Sequence, residues 1–142
     1  MDLVGRILGI LILTFGSICD VRKRSVPKLY TWISVLVTSV FVLGIRRTDI
    51  ADCLAGLAEG IVMVVMARLT GGVIGEGDGR VFCSVGLLVG AFAGLKILLW
   101  ACVIGGIYAL CILVSKKGNG KTAFPFLPFM MAGYIVYEVS RG

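Results

Sequence analysis

The chain has 142 residues, 58% of them hydrophobic and only 15% charged, with a mean hydropathy of +1.03 and a formal net charge of +6. A soluble domain is roughly half apolar and a quarter charged, so this composition excludes one and marks an integral membrane protein. The absence of histidine excludes Ser-His-Asp and Cys-His catalytic units and removes the commonest metal ligand. Five scattered cysteines with no C-x-x-C pair read as small hydrophobes, not as a zinc site or a disulfide framework.

Six apolar runs follow one another: about Leu3 to Cys19, Leu29 to Ile45, Ile50 to Leu69, Val81 to Leu95, Ile97 to Ser115 and Phe124 to Val139. The expected fold is all-α, a polytopic integral membrane protein of about six transmembrane helices forming a single domain over residues 1–142. The first run is short enough to resemble a secretory signal, but the apolar runs behind it favour a retained helix. Between the fourth and fifth runs the only charge is Lys96, so one long bent helix competes there, and Gly94 just before it favours a tight turn. Glycines at four-residue spacing, Gly5 with Gly9, Gly56 with Gly60, and Gly86, Gly90 and Gly94, offer smooth faces for helix contacts within a compact bundle. Glu59 lies about 13 Å into the third run at 1.5 Å per residue. It is expected to face the bundle interior, in a structural role or in support of a site.

Orientation follows the lysine and arginine bias. With all six runs spanning, one face holds Arg22, Lys23, Arg24, Lys28, Arg68, Arg80, Lys116, Lys117 and Lys121; the other, with both termini, holds Arg6, Arg46, Arg47, Lys96 and Arg141. The excess places the first set in the cytoplasm. Asp20 ends the first run on that face. Asp78 lies in Gly75-Glu76-Gly77-Asp78-Gly79-Arg80, just before the fourth, and the two crossings between them return the chain to the same face at matching depth.

Taken singly, each aspartate has a structural reading as good as its functional one: Asp20 as an interfacial anchor before a basic loop, Asp78 as an N-cap of the fourth helix. As neighbours they would titrate as a pair, one holding a proton while the other is charged. Such a pair suits peptide hydrolysis, the ionised member taking a proton from water and the protonated one binding the carbonyl oxygen, with neither metal nor covalent intermediate. Gly75 and Gly77 allow close approach of an extended peptide, and Arg80 is placed to hold an acid or a phospholipid headgroup. If the fourth helix starts right after Asp78, its positive end favours the charged form there, making Asp78 the base and Asp20 the protonated partner.

Together these residues resemble the type IV prepilin peptidase family, membrane aspartyl proteases of the G-x-G-D class. Asp20-Val21-Arg22-Lys23-Arg24-Ser25-Val26-Pro27-Lys28 is similar to the family's first aspartate followed by Ile/Val-Pro-Asn, with Lys28 standing where the asparagine is usual. Gly75-Glu76-Gly77-Asp78-Gly79-Arg80-Val81 resembles G-x-G-D-x-K/R, and Phe124-Pro125-Phe126-Leu127-Pro128-Phe129 resembles the aromatic, proline-rich approach to the last helix. The resemblance implies that Asp20 and Asp78 are catalytic, with Gly75, Gly77, Arg80, Pro27, Lys28 and Glu59 supporting the site or binding substrate. It implies removal of a short basic leader from prepilins or pseudopilins, at the junction with their hydrophobic N-terminal helix and on the cytoplasmic face of the inner membrane. The implied partners are that membrane-inserted substrate and the lipid bilayer; no nucleic acid, cofactor or metal is expected. Larger members carry a methyltransferase region with paired C-x-x-C motifs, and this chain resembles the short peptidase-only branch. Two other classes compete: a small non-enzymatic transporter moving protons or cations past Glu59, and an assembly subunit of a pilus or secretion machine.

Overall fold

The computed structural model describes residues 3–23, 26–44, 49–71, 75–115 and 125–142. Among these residues six α-helices build one bundle: α1 (Leu3–Lys23), α2 (Lys28–Gly44), α3 (Ile50–Leu69), α4 (Glu76–Val89), α5 (Ala91–Val114) and α6 (Leu127–Arg141). Arg24, Arg46, Arg47, Gly72, the basic group Lys116, Lys117 and Lys121, and Phe124 lie outside the described residues.

The all-helical membrane fold expected from composition is what forms. Helices α1, α3 and α5, of 21, 20 and 24 residues, are long and apolar enough to cross a membrane, and α2 is a shorter apolar helix. Their outer faces carry exposed aliphatic side chains such as Leu36, Val62 and Leu110, a surface suited to lipid. Helix α4 differs: its 14 residues rise only about 21 Å, less than a hydrocarbon core. It compensates by position. Eleven of the 14 are buried, and α1, α2, α3 and α5 all pack on it, so α4 is the central post of the bundle.

Small residues set how closely the post is approached. A Cβ on Gly56 of α3 would run into the Gly86 carbonyl of α4, and one on Gly60 would come within 2.6 Å of the Cys83 nitrogen. The four-residue glycine spacing therefore serves contacts inside the chain, as expected. On the other flank, a buried hydrogen bond of 2.9 Å joins Ser34 of α2 to Ser84 of α4.

The break between the fourth and fifth elements falls at Gly90, not at Gly94 and Lys96, and it separates two helices in place of one long bent one. Gly90 has a φ of 89°, and the Asp52 carboxylate of α3 fills the space a Cβ would need. Asp52 Oδ1 also accepts the Ala91 N–H at 3.1 Å, so an acid from α3 caps the start of α5. Gly94 lies inside α5, and Lys96 sets its ammonium 4.6 Å above the Phe92 ring.

Candidate active site

Three helix ends meet at one end of the bundle. Helix α1 continues past the apolar run to Lys23, and its buried stripe of Gly9, Leu13, Gly16 and Asp20, at alternating steps of four and three, turns Asp20 inward. The side chain ends at the start of α6, where Asp20 Oδ2 accepts the Leu127 N–H at 3.3 Å, and the Phe126 amide also bonds to it. First-turn amides have no partner within their own helix, and the proline in this turn, Pro128, has no N–H to offer. Burial works against a charge on Asp20, while these amides and the positive end of α6 work for it.

Asp78 is reached from the other side. Helix α4 begins at Glu76 with Gly75 as its N-cap, so Asp78 sits inside the first turn, not ahead of the helix. The Asp78 and Gly79 amides close that turn on the Gly75 carbonyl at 3.1 and 3.4 Å. A Cβ at Gly75 would stand 2.6 Å from Asp78 Oδ2, so the carboxylate lies where only a glycine leaves room. One at Gly77 would stand 3.1 Å from the Val26 Cβ, which brings the Val26-Pro27 stretch directly onto the glycine-rich turn. Pro27 opens α2 by accepting the Thr31 N–H at 3.2 Å, and Lys28 is the exposed first residue of that helix.

The two aspartates are each only 7% exposed. Burial, and then the negative charge of nearby Asp20, push the Asp78 carboxyl up to about 7. The pair can therefore hold one proton near neutrality. Helix α4 starts two residues before Asp78, not just behind it, so its positive end favours a charge there as that of α6 does on Asp20, and at Asp78 burial and the Asp20 charge outweigh it.

Arg80 binds Glu76. Glu76 Oε1 accepts Arg80 Nη2 at 2.7 Å, Arg68 Nη2 at 2.7 Å and Arg68 Nε at 2.9 Å. The Arg68 hydrogen bonds and then the arginine charges hold the Glu76 carboxyl below the usual glutamate range. This exposed cluster ties the end of α3 to the first turn of α4, two residues before Asp78. The acid that Arg80 was expected to hold is Glu76, four residues before it; sequence reasoning passed over Arg68, which holds the same oxygen. It also passed over the Leu127 and Phe126 amides, whose only trace was the proline-rich approach to α6.

Glu59 does not join the pair. Its neighbour Gly60 packs on Cys83, five residues beyond Asp78, which sets Glu59 roughly 8 Å deeper along the bundle. Glu59 Oε2 lies beside Gly94, buried and without a hydrogen-bond partner among the described residues.

No individual curated protein and no solved structure matches the chain. The type IV leader peptidase family matches over residues 7–110, more than half of the 142 residues, from the first turns of α1 into the last turns of α5 and across both aspartates. The chain thus belongs to the type IV leader peptidase family, a family of membrane peptidases of the aspartic type.

Proposed function

We propose that this protein is a prepilin leader peptidase, with Asp20 and Asp78 as its catalytic pair. It cleaves the bond between the short basic leader and the hydrophobic N-terminal helix of a type IV prepilin or pseudopilin. The observation that carries the reading is the convergence of two buried aspartates from different helix ends, the charge of one acting on the other. Buried acids brought together against their own repulsion mark a functional site more often than a structural one.

The chemistry follows from their surroundings. Asp20, held by the α6 amides, takes a proton from a water as that water attacks the scissile carbonyl carbon. Asp78 gives its proton to the carbonyl oxygen, so the tetrahedral intermediate forms without a full oxyanion. Collapse of that intermediate breaks the C–N bond. The nitrogen leaves with the proton gained by Asp20, and the re-forming carbonyl returns a proton to Asp78, so the pair ends as it began. Gly75 makes room for the Asp78 carboxyl and Gly77 for Val26, so the glycine-rich turn lets Asp78 and the Val26-Pro27 stretch close on one site, with Lys28 and Arg80 near it. The lysine and arginine bias puts this end of the bundle in the cytoplasm. With no C-x-x-C pair in the chain, we assign it hydrolysis without methyl transfer.

The test is cleavage of a full-length pilin-like substrate by the purified protein in lipid, read by mass. The wild type should release a basic leader, and Asp20→Asn and Asp78→Asn should each lose at least about 10³-fold in rate. Cleavage that survives in both variants would return the protein to the transport or assembly classes.

A further inference from the structure

A groove of about 470 Å³ runs between α1 and α6, beside the turn of α1 that carries Asp20. Ser17, Ile18, Val21 and Arg22 line it from α1, and Pro128 and Met131 from α6. We propose that this groove seats the apolar helix of the membrane-inserted substrate, with the N-terminal end of that helix delivered to Asp20. The inference rests on the peptidase reading and deepens it by naming the face from which substrate enters.

Four observations support it. The groove is continuous with the site, since Asp20 shares a turn with Ser17 and Val21, and Pro128 follows the residue whose N–H holds Asp20. Ile18 and Val21 are 49% and 60% exposed, so the groove opens sideways to lipid and a helix can enter without leaving the membrane. Ser17 is only 8% exposed, and its Oγ is buried with no hydrogen-bond partner among the described residues. An acyl chain offers that hydroxyl nothing, whereas a helix passing at close range brings a carbonyl or a hydroxyl. Finally, Arg22 puts a cation at the mouth. Its complement is an acid in the first turn of the arriving helix, where the helix's own positive end also favours one. The groove has room for the side chains of one helix face, not for a whole helix, so the substrate lies along it.

A photo-crosslinking residue placed at Ile18 or Val21 tests this. The protein carries Asp78→Asn to keep the substrate whole and is reconstituted in lipid with a single-pass pilin-like substrate bearing an acid in its first helical turn. The same residue at Leu36 on α2 and Val62 on α3, both exposed, provides the comparison. Yields at Ile18 and Val21 should exceed those at Leu36 and Val62 by about tenfold. Arg22→Gln should lower the groove yield severalfold for that substrate, and not for one whose first-turn acid is replaced by Gln. Equal yields at all four positions, or yields highest at Leu36 or Val62, overturn the groove; an equal loss for both substrates on Arg22→Gln overturns the charge match. Wild-type cleavage, followed in parallel, separates the two readings: cutting with crosslinks on the α2 or α3 side leaves the peptidase and removes the groove. Groove crosslinks without cutting do the reverse.

Discussion

Gly75→Ala displaces the Asp78 carboxyl, the proposed proton donor, without burdening the fold. The added methyl carbon would stand 2.6 Å from Asp78 Oδ2 and 3.1 Å from its Cγ. An unstrained contact is about 3.5 Å, so the carboxyl has to retreat by about 0.9 Å. The backbone at Gly75, with φ of −66° and ψ of 123°, is one that alanine adopts freely, and the far end of an aspartate side chain yields cheaply. The melting temperature in detergent should therefore hold, or rise slightly from the less flexible unfolded chain. Activity should not. A displacement near 1 Å in a catalytic constellation costs about 10²-fold, or roughly 2.7 kcal/mol in the barrier. Leader release read by mass at subsaturating substrate gives kcat/KM directly. A Gly75→Ala protein cutting at the wild-type rate with an unchanged melt would refute Asp78 as a group that acts in the reaction.

Three further outcomes follow from the same geometry. The Asp78 carboxyl titrates at about 7 in the folded protein against about 3.9 in an unfolded chain. For an acid raised in this way, the stabilising contribution is complete below about pH 4 and is lost as pH rises through about 7. Wild-type melts should thus fall across that window by up to roughly 4 kcal/mol in stability while Asp78→Asn falls distinctly less, and kcat should decline above about pH 7 as the proton is lost. Gly56→Ala pushes a methyl group into the Gly86 carbonyl, a backbone atom that cannot turn aside, at a cost of about 1–3 kcal/mol, whereas Gly106→Ala points into open space and should gain up to about 1 kcal/mol in helix propensity; paired melts check both. Glu76→Gln removes the charge that gathers Arg68 and Arg80 and should lower kcat by about threefold to tenfold with little change in melting, since the group positions the first turn of α4 and is itself exposed.

Much of this arrangement was legible in single stretches of the chain. The end of the first apolar run at Asp20 and its return to the face of Asp78 could be counted from the runs, and the glycine repeats of α3 and α4 announced a close pair of helices. The α4–α5 break was misplaced because its cause is remote: Gly90 has to be glycine partly on account of Asp52, which arrives from the start of α3. The Leu127 donor was invisible for a different reason, because every residue except proline carries the same amide, and only the meeting of α6 with Asp20 gives this one a task.

Composition, hydrophobic runs and the ordered Asp20, Val26-Pro27 and Gly75-to-Arg80 motifs by themselves determined a helical membrane protein, and the resemblance carried by those motifs indicated its peptidase family, because burial in lipid and motif spacing are properties of residues read in a row. Tertiary structure decided that α4 is a short enclosed post, that three helix ends enclose the aspartates, and that Asp78 is the member of the pair pushed up to about 7. Where a proton sits depends on burial, neighbouring charge and helix ends supplied by segments far apart in the chain, and those terms exist only once the bundle has closed.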